Sequence, residues 1–271
     1  MKNLCISYIL SDQDFDVHIL KESAWRGGLL AAAVFLGLYS FTLPLTPPPA
    51  KGQPSNWRAI LGIDALKQLR TRSFMVFLFS AMLIFIAFGT YFPYAPRYLA
   101  TVGFENPSFE MSFGQASEII FMLLIPFFFA RLGVKWMLVL GMLAWVARFT
   151  LFAGAAMDSV YWMIIVGILI HGICYDFFFV TGQIYIDKKT SPAIRGQVQG
   201  LLVLLTQGVG FLLGTQLSGA FVNSYGTAGT LSPENWKLFW GIFAGATAVF
   251  TVLFFILFKD DSKEEAQTST S

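Results

Sequence analysis

Charge is what this sequence has least of. Of its 271 residues only 13% are Asp, Glu, Lys or Arg, against 56% hydrophobic. Soluble domains average about 25% charged and roughly 45–50% apolar residues. An ordinary soluble domain, a disordered chain and a nucleic-acid-binding module are therefore excluded. The net charge of +2 is too small to recruit an oppositely charged partner. Cysteine is scarce too: Cys5 and Cys174 lie far apart and the second sits inside an apolar run, so no disulfide framework or cysteine zinc site follows. With only His18 and His171, a histidine metal centre has too few ligands. There is no Walker-type phosphate loop, no His-Glu-x-x-His helix and no Gly-x-Ser-x-Gly elbow, so an enzyme has no residues to stand on and no cofactor is expected. Nor does the N-terminus look like a signal peptide. Its apolar stretch up to Leu10 is short, runs into Asp12, Asp14 and Asp16, and has no small-residue cleavage site after it.

Long apolar runs are what the sequence has in place of these features. Mean hydropathy is +0.64, and 29 phenylalanines suit a lipid-facing or bundle-packed surface. Crossing roughly 30 Å of hydrocarbon takes about 20 apolar residues in a helix. Seven segments meet that test: 27–46, 74–93, 113–130, 136–156, 160–184, 197–222 and 236–258. Backbone groups in lipid are satisfied only in helices or closed barrels, and runs this long are not the alternating strands of a barrel. The expectation is an all-α integral membrane protein with seven transmembrane helices.

Lys and Arg set the orientation. With the segment after the first span in the cytoplasm, that side holds Lys51, Arg58, Lys67, Arg70, Arg72, Arg131, Lys135, Lys188, Lys189, Arg195, Lys259 and Lys263. The opposite side holds Lys21, Arg26, Arg97 and Lys237. The C-terminus is thereby expected in the cytoplasm. Residues 1–46 read as one region with a single helix, and 47–73 as a cytoplasmic linker. That linker opens with Thr46-Pro47-Pro48-Pro49, where prolines stop the helix. Residues 74–258 form a group of six helices and 259–271 a cytoplasmic tail. One helix set apart from six cannot bury itself, which suggests that something upstream is missing.

Ionisable residues at membrane depth mark a pathway, a relay or a structural pair. Four stand out: Glu118, Arg148, His171 and Asp176. Gln115 lies three positions before Glu118 and shares its helix face, so the two offer a carboxylate and an amide to a polar ligand. The alternative is that Glu118 pairs with Arg148 to hold two helices together. His171 and Tyr175, four apart, present an imidazole and an aromatic ring on one face, with Phe178 on the next turn. Such a face suits a flat heterocycle, or else is packing with His171 as polar glue. Asp176 points about 100° away and is a candidate partner for Arg148. Glu118 and Asp176 are both candidates to carry a proton in coupled transport. Small residues spaced by four, Gly196 and Gly200, then Gly210, Gly214 and Ser218, argue for close helix approach. Pro93, Pro96 and Pro126 are expected to bend their helices.

Several strings resemble a known family. Pro126-Phe-Phe-Phe-Ala-Arg131-Leu-Gly133-Val-Lys135 is similar to the signature loop of the major facilitator superfamily, with Pro126 in place of its first Gly and Ala130 in place of its Asp. Gln115-Ala-Ser-Glu118-Ile-Ile-Phe-Met-Leu-Leu-Ile-Pro126 resembles the eighth helix of the nucleoside:H+ symporter family within that superfamily. His171-Gly-Ile-Cys-Tyr-Asp176-Phe-Phe-Phe, continuing through Ser191-Pro192-Ala-Ile-Arg195-Gly-Gln-Val-Gln-Gly200, resembles its tenth helix and following loop. The string from Leu38 to Pro49 resembles the end of its sixth helix.

The resemblance covers about residues 24–258 and implies a twelve-helix fold in two halves, of which this chain would carry helices six to twelve. Residues 1–10 would then be the stump of helix five and 47–73 the loop between halves. It also implies a proton-coupled nucleoside permease of the inner membrane, with nucleoside, protons and the lipid bilayer as partners and no nucleic acid. Gln115 and Glu118 match the family's nucleoside-contacting pair on helix eight, and His171 and Tyr175 its aromatic ligand neighbours on helix ten. Those last positions are commonly Tyr and Phe. The polar Gln and Asn of the family's helix seven have no counterpart; Gly89 and Phe92 lie near those positions, with Tyr91 and Tyr94 as substitutes. The family's helix-four ligands, and the N-terminal half that carries them, are expected to be absent from this chain. Two rivals remain: a major-facilitator transporter of another small polar solute, such as a sugar or drug, and a non-transporting seven-helix protein.

Overall fold

The computed structural model describes residues 30–44, 71–227 and 229–260, together with positions 27, 62, 66 and 69. The stump expected at 1–10, most of the linker expected over 47–73 and the tail beyond residue 260 lie outside the described residues. The chain divides into two units, Met1–Pro54 and Ser55–Ser271. The first contributes helix α1, Leu30–Ser40, which is shorter than a membrane crossing needs. The expected span 27–46 is therefore described only in part.

The second unit is a helical bundle. Its first helix, α2 (Arg72–Val102), starts where the Thr71 side chain accepts a hydrogen bond from the Phe74 amide, and ends at Gly103, whose φ of 109° suits a residue without Cβ. Pro93 and Pro96 lie inside it without ending it. The next, α3 (Pro107–Ala155), opens with proline at its first position and Glu110 in its first turn. Its 49 residues correspond to about 70 Å of helix, twice a single crossing. The path breaks at Gly133, where φ is 69° and ψ 180°. This break falls between the expected spans 113–130 and 136–156.

Helices α4 (Tyr161–Leu169) and α5 (His171–Tyr175) meet at Ile170, and the combined segment through Lys189 is bent by 41°. A π-helical turn, Asp176–Val180, leads into α6 (Thr181–Lys189). Helix α7 (Arg195–Val203) continues through a second π-helical stretch, Leu204–Gly210, into α8 (Phe211–Tyr225). The bundle closes with α9 (Pro233–Leu257), whose N-terminus is capped by the Ser232 side chain accepting from the Asn235 amide. Among the described residues four helices are long and apolar enough to cross a membrane, or five when the bent pair counts as one span. Seven is not reached on that measure, because α3, despite its break at Gly133, counts as one helix and α1 is short.

Small residues set the closest crossings. A Cβ at Gly210 would stand 2.5 Å from the Met82 carbonyl oxygen, and one at Gly214 would strike the Ile86 carbonyl. One turn on, the Ser218 hydroxyl donates to Thr90 Oγ1 at 2.9 Å. The expected stripe 210–214–218 is thus the seam of α8 against α2. Gly196 and Gly200 differ: a Cβ there would meet no atom within 4 Å, so close approach does not explain them. The core between α2, α3 and α9 is aromatic, built on Tyr98, Trp145, Phe149, Phe152, Trp236 and Trp240. The Tyr98 hydroxyl donates to the Phe152 carbonyl at 2.8 Å. At one end of the bundle Arg131, Lys135 and Lys188 lie over the rings of Phe127, Phe255 and Phe129, so cations gather where α3 kinks and α6 and α9 end.

Candidate functional site

The site is made possible by a crossing of the first part of α3 with α5. A Cβ at Gly114 would touch the His171 side chain at 3.2 Å, and one at Gly172 would stand 2.6 Å from the Ser117 carbonyl oxygen. The Ser117 hydroxyl accepts from the Gly172 amide at 2.9 Å and donates to the Gly114 carbonyl at 2.6 Å. With backbones this close, Glu118 on α3 and His171 on α5 are brought side to side. His171 Nε2 lies 2.7 Å from Glu118 Oε1. The histidine is 2% exposed and the glutamate 24%, so the pair is anchored inside and presents its carboxylate outward. Gln115, one turn earlier, is exposed on the same face.

Arg148, also on α3 and fully buried, approaches the other side of the imidazole, with Nη1 2.6 Å from Nδ1. Its remaining donors go to the Gly167 carbonyl at 2.7 Å and the Ile168 carbonyl at 3.1 Å. The two direct pairs weighed for Arg148 do not form: His171 stands between it and Glu118, and Asp176 is elsewhere. Both carboxylate oxygens of Asp176 are buried without a hydrogen-bond partner among the described residues. Asp176 follows His171 by five residues, which on a helix places it about 140° round from the face that meets Arg148.

Aromatic rings complete the surroundings. The Tyr91 ring stacks beneath His171 at 5.5 Å, with the Arg148 guanidinium 4.1 Å from its centroid. Phe88 and Phe92 of α2 reach Tyr175 and His171 at 6.0 Å. Tyr175 continues along its own helix to Phe179 at 5.1 Å. The residue expected there was Phe178, which is instead buried against Gly141. On a helix the residues three and four positions after Tyr175 both lie near its face, and here Phe179, four on, is the ring that meets it. Gly89 is packed against the Phe211 backbone and offers no polar group, and Tyr94 contacts Phe239 and Arg97 instead. An apolar cavity of about 290 Å³ between α2, α8 and α9 is lined by Leu83, Leu217, Phe221, Phe243, Thr247 and Phe250. The Thr247 hydroxyl there is already donated to the Phe243 carbonyl, so this cavity lacks the donors and acceptors of the Glu118 face.

A family model described as nucleoside H+ symporter matches residues 10–263. The chain belongs to this nucleoside H+ symporter family. Among the relatives, a protein of Escherichia coli K12 named as a candidate nucleoside transporter, YegT, is 40% identical over 193 residues, 70% of this chain and 45% of that one. The nucleoside permease NupG of the same organism is 32% identical over 78% of this chain and 52% of its own length, and its xanthosine permease 31% identical over 77% and 52%. A crystal structure of NupG carrying a single aspartate substitution superposes with a TM-score of 0.70 at 29% identity, covering 84% of this chain and 59% of that one. The unsubstituted NupG structure gives 0.64 at 30% identity, covering 84% and 58%. The chain thus spans about half the length of the curated relatives it matches. As a member of the nucleoside H+ symporter family it is an all-α, multi-pass membrane protein with a major-facilitator-type helical bundle, in a family of transporters and not of enzymes.

Proposed function

We propose that this chain supplies the C-terminal wall of a proton-coupled nucleoside transporter. The observation that carries the reading is the Glu118–His171 pair, polar and partly open, set in a face of Phe88, Phe92, Tyr175 and Phe179. A nucleoside is a flat heterocycle joined to a sugar rich in hydroxyl donors. An acceptor-only carboxylate beside aromatic faces complements both parts. Glu118 and Gln115 would hydrogen-bond sugar or base, with His171 holding Glu118 from behind and Tyr175 lining the adjacent face.

The substrate would sit between two halves that rock about it near the membrane midplane, so the second wall belongs to an N-terminal half. The seven-helix count, the linker at 47–73, an inner-membrane location and a cytoplasmic C-terminus are parts of the same reading. The gathering of Arg131, Lys135 and Lys188 at one end of the bundle supports the orientation.

Of the two candidate acids, Glu118 is engaged by His171 while Asp176 has no hydrogen-bond partner among the described residues. The proton role therefore falls to Asp176 and the ligand role to Glu118. Calorimetric titration of the purified protein with uridine and inosine tests the ligand role. Wild type binds, and Glu118→Gln loses at least tenfold in affinity, as the loss of a charged hydrogen bond of ~1.5–3 kcal/mol requires. Equal binding by both proteins would overturn the assignment of Glu118.

A further inference from the structure

Arg148 is fully buried and beyond the reach of a ligand, yet every donor it spends bears on the geometry of the Glu118 site. A guanidinium carries five N–H donors, accepts nothing and stays protonated. Its contact at 2.6 Å with His171 Nδ1 is therefore a hydrogen bond only when that nitrogen presents a lone pair. The ring proton is then left on Nε2, the atom 2.7 Å from Glu118 Oε1. Donation runs in one direction, from Arg148 through His171 to Glu118. A second proton, on Nδ1, would set N–H against N–H and place a cation beside the guanidinium.

The same arginine stitches the bend. The Gly172 amide donates to Ser117 Oγ, and the Ile168 carbonyl four residues before it accepts from Arg148 Nη2 at 3.1 Å. Tyr91 from α2, Glu118 and Arg148 from α3, and Cys174 and Tyr175 on the helix of His171 itself are the titratable groups around the ring, with Asp176 on another face of that helix. Among the described residues only Arg148 and Glu118 hydrogen-bond it.

We infer that Arg148 is a positioning residue that locks His171 as the neutral Nε2–H tautomer, making His171 a fixed donor to Glu118 and not a carrier of the transported proton. With Oε1 already occupied by His171, an incoming ligand meets Oε2, and the site selects ligands that present hydroxyl or N–H donors there. The identity of that ligand rests on the nucleoside reading; the lock does not.

Because the chain has only His18 and His171, protein labelled with 15N-histidine in lipid nanodiscs gives two ring systems, and His18→Gln assigns them. The expected spectrum shows His171 with a pyridine-type Nδ1 and a pyrrole-type Nε2, unchanged from about pH 5 to 8, where a free imidazole titrates. Arg148→Met releases the ring into a tautomer mixture or an ordinary titration. Arg148→Lys, which keeps a donor for Nδ1, retains the Nε2–H state and separates loss of the lock from loss of the fold. A wild-type His171 that carries its proton on Nδ1, or that gains a second proton within this range, would overturn the proposal. So would an Arg148→Met spectrum identical to wild type. Added uridine should move the Nε2 resonance; a spectrum that ignores uridine contradicts the nucleoside reading while the tautomer result stands.

Discussion

At the scale of residues, two acids that look alike in sequence have different surroundings. Glu118 is held by a histidine and faces outward, whereas Asp176 is buried with both oxygens unpaired among the described residues. A buried carboxyl with no fixed partner is costly to keep and by default is functional. It can exchange a proton without first breaking a contact. Asp176→Asn is therefore expected to leave nucleoside binding within about twofold of wild type while abolishing the dependence of uptake on the proton gradient. Uptake that still follows the gradient in the variant would move the coupling role elsewhere.

Glu118, His171 and Asp176 were legible in the sequence because an ionisable group in an apolar run is conspicuous. Tyr91, Phe88 and Trp145 were not. In a chain with 29 phenylalanines, nothing marks the few rings that surround an imidazole. The partner of Arg148 was also hidden, since an arginine can reach a histidine, a carboxylate or a bare carbonyl from the same position.

At the scale of elements, glycine and serine decide where helices meet. The small residues at 210, 214 and 218 mark the α8–α2 seam, and the sequence spacing pointed to it. The pair 196 and 200 has the same spacing and open space around it. Spacing alone does not say which face a helix turns inward. Gly214→Val would drive a side chain into the Ile86 backbone, and overpacking of this kind costs typically ~1–3 kcal/mol. Thermal unfolding in detergent should show a clear drop for Gly214→Val and none for Gly200→Ala. Equal melting of the two variants would remove the seam from the account. The π-helical turns at 176–180 and 204–210 left no trace in composition, because they are a matter of hydrogen-bond register.

For the whole molecule, low charge, long apolar runs and uneven placement of Lys and Arg were enough to read an all-α membrane bundle. The break between the third and fourth expected spans came from the residues around Gly133, where the backbone turns with a φ of 69° that glycine alone adopts cheaply. How many crossings the chain makes was less legible, since one helix continues by length across that break and another is only partly described. The function reading rests on strings specific to the nucleoside H+ symporter family, and the geometry adds a site whose chemistry fits a nucleoside. The most direct test is uptake of labelled uridine by proteoliposomes with an imposed proton gradient, comparing wild type with Glu118→Gln. The account predicts gradient-driven accumulation by the wild-type protein and none by the variant. Accumulation that is equal in the two, or a wild-type protein that moves no nucleoside under the gradient, would contradict it.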